Sequence, residues 1–241
     1  MKSLVIAAIA ISGIGAASPA RPAHAAAPPA RPAAFGPRDI TGVWMQTGRP
    51  QQMTYPLTPE YQAILEKKLA DIAAGKPAEA NPCVPGPLVR MMTLPVAPLE
   101  IARVSDDRFV VAKENQSIYR IYLNRGHKAP EDLTQGLYGD AVGHWEGDTL
   151  VVDTIGLGGS TDIEGRTPHS DAMHVVQRFR RVSADTLENR MTIDDPKAFT
   201  HPVEVTATYT AHPDWELGEF FCTNERMVVG PDGKAVILPA N

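Results

Sequence analysis

The stretch GHWEGDTLVVDT, residues 143–154, decides the fold class. Glu146-Gly147-Asp148 is turn chemistry between two apolar flanks, the signature of a tight β-hairpin. In the second arm, Thr149–Ile155, Leu150, Val152 and Thr154 share one face, and Val151, Asp153 and Ile155 share the other. Both faces are mostly apolar, so the strand reads as central and Asp153 as shielded from water. A shielded carboxylate must be paired, hydrogen-bonded or protonated. Backbone amides, Arg120 or Arg178 are the candidate partners.

The same grammar recurs outward along the chain. Ser105-Asp106-Asp107, Ser183-Ala184-Asp185 and Pro231-Asp232-Gly233 separate further short runs of alternating residues. The expected strands are 99–104, 109–113, 117–123, 141–145, 149–155, 173–182, 186–193, 203–210 and 216–222, with a weaker one at 235–238. Asp107, Asp148 and Asp185 are spaced by 41 and 37 residues. A period near 40 suits propeller blades, but the Trp and Gly signatures do not recur. An antiparallel meander closing into a lipocalin-like barrel accounts for the spacing more simply. Gly42-Val43-Trp44 fits its first strand, with the indole closing one end.

One amphipathic helix is expected at about 58–75, packed outside the barrel or at one end. Thr58 serves as N-cap, Pro59 opens the first turn, and Glu60 complements the dipole. Tyr61, Ile64, Leu65, Leu69 and Ile72 fall on one face, and Gly75 with Pro77 ends the helix. Six prolines from Pro77 to Pro98 then predict an irregular crossing.

Residues 1–25 read as a secretory signal peptide. Lys2 precedes an apolar run from Leu4 to Ala17, and Ala23-His24-Ala25 fits the cleavage pattern. Residues 26–38, rich in Pro and Ala, form a disordered tether, and 39–241 a single domain. Cleavage removes Lys2 and Arg21, so 21 basic residues face 28 acidic ones, a net charge of −7. No basic stripe suits nucleic acid, and no other segment is apolar enough to span a membrane. Nothing in the sequence sets the oligomeric state. Cys83 and Cys222 are expected to form a disulfide in an oxidising compartment; it would close a loop of about 140 residues, worth roughly 4–5 kcal/mol. Two buried thiols, or a soft metal site with Met91 and Met92, are the alternatives.

Four groups of residues can carry chemistry. His144, pointing into a barrel, would be a general acid or base; bonded to Glu146 or to backbone, it would be structural. The glycine-rich loop 156–168 is long enough for a lid or binding loop. It delivers the chain to His169, Asp171 and His174, which are metal-ligand types, though their spacing better fits a hydrogen-bonded His–Asp pair. Tyr119, Tyr122 and Tyr138 suit either an aromatic-friendly pocket or the core. Ser160 and Ser170 lack a nucleophile elbow, and no P-loop, dinucleotide or zincin motif occurs.

With GHWEGDTLVVDT, HSDAMHVVQRFRRV, DTLENRMTIDDPKAFT and CVPGPLVRMM, the chain resembles an uncharacterised family of exported bacterial β-barrel proteins of lipocalin-like type. The resemblance runs from about Thr41 to Asn224. Relatives usually read H-V-V-E-R-F where this chain has Gln177. It implies export and a barrel, but no particular reaction. The expected function is therefore small-molecule binding, with a cofactor-independent lyase, isomerase or hydratase activity on a hydrophobic or aromatic substrate. His144, Asp153, His169, Asp171 and His174 would do the acid–base work. Arg120, Tyr122, Tyr138 and Arg178 would bind substrate. A carrier or sensor is the alternative, and a metal-binding protein using His169, Asp171 and His174 ranks lower.

Overall fold

Alternation of inward apolar and outward polar residues builds a closed barrel. The computed structural model describes residues 36, 38–48, 50, 54–76, 85–114, 117–159, 162–163 and 166–219, and the backbone of 227–229 and 235–237. The strands are β1 (Gly42–Gln46), β2 (Leu99–Ser105), β3 (Arg108–Lys113), β4 (Ser117–Leu123), β5 (Asp140–Glu146), β6 (Thr149–Ile155), β7 (Asp162–Ile163), β8 (Thr167–Pro168), β9 (His174–Arg181), β10 (Thr186–Asp194) and β11 (Val203–Ala211). Nine of them close in the order β1-β11-β10-β9-β6-β5-β4-β3-β2. Trp44 is the closing residue, in register with Ala211 on one side and Leu99 on the other.

The meander breaks once, where β4 and β5 pair in parallel. Parallel neighbours require a crossover, and residues 124–139 provide it. That crossing carries a 3-10 turn, Pro130–Asp132. The loop at 156–168, expected to lack strand character, holds the β7–β8 pair and buries Leu157 and Ile163. Residues 216–219 are irregular rather than strand, and the rest of that expected strand lies outside the described residues. A separate pair joins β12 (Met227–Val229) to β13 (Ala235–Ile237).

Helix α1 (Pro59–Ala73) lies outside the barrel, where Lys68 pairs with Asp162 and Tyr61 packs against the core. Ile64, Leu69 and Ile72 remain exposed, so its apolar face is less covered than the pattern suggests. Thr58 makes no side-chain cap; its hydroxyl donates to the Lys197 carbonyl instead. The proline-rich crossing conceals a second helix, α2 (Leu88–Thr93), with Leu88, Val89, Met91, Met92 and Thr93 all buried. Pro87 stands at its N-cap.

Barrel side chains hold the C-terminal carbonyls of α2. Lys113 Nζ donates to Met91 O at 2.9 Å and to Leu94 O at 2.6 Å. Gln46 Nε2 donates to Thr93 O at 2.9 Å, and the Tyr209 hydroxyl to Met92 O at 2.5 Å. A cation at a helix C-terminus is well placed for the dipole. Burial nevertheless pulls the Lys113 ammonium down to about 8, with Arg90 adding repulsion. At the turn end, Arg181 lies over the Trp44 ring and Arg38 over Trp145.

Candidate functional site

A hydrogen-bonded chain of carboxylates and histidines runs across the outer face of β5, β6 and β9. Asp153 is in register with Val142 on one side and Val176 on the other. On all three strands these residues alternate with the buried inward set Ala141, Val152 and Val175. Asp153 Oδ1 meets His174 Nε2 at 2.9 Å and His127 Nε2 at 3.0 Å. His127 comes from the 124–139 crossing, and its Nδ1 is 3.1 Å from Asp140 Oδ2.

Asp140 anchors the chain and is only 6% exposed. It accepts from Arg125 Nη2 at 2.5 Å and Nη1 at 3.3 Å, and from the Lys128 amide at 3.1 Å. Burial raises its pKa, but the Arg125, Lys128 and His127 bonds outweigh this and bring it down to about 2. Arg125 in turn lies 4.3 Å from the Tyr122 ring centroid.

Ionised Asp140 only accepts, so the proton between it and His127 belongs to Nδ1. His127 Nε2 and Asp153 Oδ1 then share one further proton, on either partner. Although β6 is central, Asp153 is not shielded as its apolar strand suggested: it faces outward and is 43% exposed, with His174 38% exposed, so the chain runs from a buried anion to solvent-reachable groups. This arrangement can give up or take up a proton at its open end.

Other residues marked in the sequence lie elsewhere. His144 does not enter the barrel: it is 63% exposed on the outer face, 3.1 Å from Glu146 Oε1. Its inner-face neighbour is Trp145, which packs edge-on against Phe109. Arg178 pairs with Glu146 at 2.7 Å and not with Asp153. Arg120 is exposed on β4, and Tyr122 is half-buried beside Arg125. The Tyr138 hydroxyl donates to Gly86 O at 3.2 Å, and burial raises its pKa.

His169 is buried, with Nδ1 2.8 Å from Ser170 O, and burial pulls its pKa down. Ser170 donates its hydroxyl and amide to buried Asp195, at 2.6 Å each, which also caps the Lys197 and Ala198 amides. Ser170 therefore tethers the loop before β9. Exposed Asp171 pairs with Lys197 at 2.6 Å, which lowers its pKa. His169, Asp171 and His174 thus face three different partners. Among the described residues, no group of three or more His, Cys, Asp or Glu is arranged to hold a metal ion. Cys83, Cys222 and Ser160 lie outside the described residues.

The interior has its own polar belt, beneath α2. The Tyr119 hydroxyl lies 2.7 Å from Thr154 Oγ1 and donates to Gln177 Oε1 at 3.0 Å. Burial drives the Tyr119 pKa upward, so the phenol stays protonated. Gln177, Asn189 and Gln46 complete the belt, and all are buried.

Sequence reasoning missed His127, Asp140 and Arg125. RGHKAPED, residues 125–132, is polar and aperiodic; only the crossing that folds it onto the sheet gives it a role. Among the described residues, no helix is long and apolar enough to cross a membrane.

No protein-family model matches the chain, and no curated protein sequence matches it. A solved crystal structure of a mutant of the fluorescent protein UnaG is similar over 72% of this chain and 96% of that one, at 14% identity and a TM-score of 0.34. So loose a superposition carries no argument, and the barrel rests on its own closed strand order and register.

Proposed function

We propose that this chain is an exported, small-molecule-binding β-barrel that performs proton-transfer chemistry of the lyase, isomerase or hydratase kind. The observation that carries the reading is the convergence of His127 and His174 on one oxygen of Asp153, with buried Asp140 behind His127. Asp153 takes a proton from substrate carbon. Half-exposed His174 delivers a proton to the departing or rearranging atom. His127, held by Asp140, balances the charge on Asp153 as the proton moves. Val142 and Val176, with Tyr122 one strand further, lie beside Asp153 in register and supply an apolar floor for a hydrophobic or aromatic substrate.

The test is proton exchange. The full chain is incubated in D2O with a panel of small aromatic and terpenoid carbonyl and hydroxyl compounds, and deuterium uptake is read by mass spectrometry. Asp153→Asn is expected to reduce exchange by about 10²–10⁴-fold while binding survives. Exchange that persists unchanged in Asp153→Asn and His174→Ala refutes the acid–base role. Saturable binding without exchange in the wild type makes the protein a carrier or sensor. For export, N-terminal sequencing of periplasmic material should begin at Ala26.

A further inference from the structure

The outer surface of the barrel differs in character from one side to the other. On β10 and β11 the outward positions are polar: Glu188, Arg190, Thr192, Glu204 and Thr206. On β1 to β4 they are largely apolar: Val43, Ala102, Val104, Val110, Ala112 and Ile118. Register joins this second set into one patch. Val43 is opposite Glu100, Glu100 opposite Ala112, and Ala112 opposite Ile118. One step along the strands, Ala102 is opposite Val110. Val104 is 49% exposed and Ile118 44%. Contiguous apolar surface of this kind marks a place where something packs.

The chain itself leaves the barrel at this patch. Just after β11, the His212 amide donates to Val43 O at 2.8 Å. The Gly218 amide then donates to Glu114 Oε1 at 2.8 Å. Glu114 directly follows Lys113, the partner of Ser117, which precedes Ile118. Residues 212–218 therefore pass from β1 to the end of β3, in the direction of β4. The segment that follows, 220–241, carries Phe220, Phe221 and the apolar runs 227–229 and 235–238 in its sequence. Its strands β12 and β13 form a two-stranded sheet, and so small a hairpin needs a further apolar surface to be stable in water. Reach is sufficient: at about 3.3 Å per residue, residues 219–227 span up to roughly 26 Å, against roughly 14 Å across four strands.

We propose that the outer face of β1 to β4 is the docking surface for the chain's own C-terminal segment, residues 220–241, which covers Val104, Val110 and Ile118. Each side supplies what the other lacks: the patch gains a cover, and the small hairpin gains a third layer to pack on. The tether that ends at Gly218 makes the encounter intramolecular, so the segment outcompetes a second copy of the chain for the same surface. The β5, β6 and β9 face, with Asp153 and His174, stays open. The docking surface is separate from that acid–base chain and stands or falls without it.

Native-state proteolysis tests this, because Arg226 lies within the segment. The full chain and Ile118→Asp are treated with dilute trypsin, and cleavage after Arg226 is followed by mass spectrometry. Cutting tracks the fraction of time the segment is undocked, so it should be at least about tenfold faster in Ile118→Asp than in the wild type. Thr206→Asp, on the polar side of the barrel, should leave the rate unchanged. If Ile118→Asp does not fold, Val104→Asp takes its place. Two results overturn the proposal. One is cleavage after Arg226 as fast in the wild type as in the variant. The other is a wild-type dimer in sedimentation that Ile118→Asp dissociates with no change at Arg226, which gives the face to a second copy.

Discussion

Gly139 holds φ at +58°, and a Cβ there would overlap the Ile155 carbonyl oxygen and sit 3.1 Å from Thr154 Cγ2. It precedes Asp140, so the backbone that aims the anchoring carboxylate depends on it. An unstrained Gly→Ala change stabilises by roughly 0.4–1 kcal/mol; at the positive φ of Gly139 the same change is expected to destabilise by more than about 1 kcal/mol, and chemical denaturation measures it. Asp140 itself gives a pH signature. Its folded pKa of about 2 lies below the unfolded value of about 3.9. Its contribution is therefore complete above pH 4 and lost as pH falls from about 4 toward 2. Asp140→Asn should flatten that acid limb, as read from urea midpoints across pH. Buried His169 works at milder acidity: with its pKa pulled below the ordinary value, the unfolded chain protonates first and stability falls as pH drops below about 6.5. Of the chain's members, Asp153 was legible as an anomaly in an apolar strand and His174 as a polar strand entry. His127 was not, because a histidine in a polar loop carries no periodic signal.

The hidden helix α2 marks the limit of periodic reading at the element scale. Six residues are under two turns, too short for a 3.6-residue pattern to emerge, and the flanking prolines resemble those of a coil. What makes it a helix is burial and the donors that meet its last carbonyls. Met92→Ala should cost about 2–5 kcal/mol, as for other buried Met truncations, measured by urea or thermal unfolding. Lys113 offers a sharper test. Its folded pKa of about 8 lies below the unfolded value near 10.4, so the unfolded state binds more protons between those limits. Stability should rise from pH 8 to about pH 10 in the wild type, and Lys113→Met should remove that rise. The strands were more legible: 117–123 and 149–155 follow from alternation to the residue, the ends of β2, β3, β5, β10 and β11 extend by one residue and those of β9 shorten by one, while 216–219 is no strand.

Closure belongs to the whole molecule. Trp44 is 1% exposed, its indole donates to Ile40 O at 3.1 Å, and its strand joins the first and last arms of the barrel. Trp44→Ala should cost about 3–5 kcal/mol and weaken hydrogen-exchange protection in β1, β2 and β11 together rather than in β1 alone. Sequence by itself determined a mostly β chain, its hairpins, the outer helix and the strands that bear Asp153 and His174, because each depends on turn chemistry or a local period. Tertiary structure alone decided which face of the sheet points inward. A period of two separates two faces but does not say which one meets the core, so His144 lies on the outer surface with Trp145 inside. It also decided the parallel β4–β5 pair. That crossing brings His127 across to Asp153, a proximity set by the path of the chain and written in no local stretch of it.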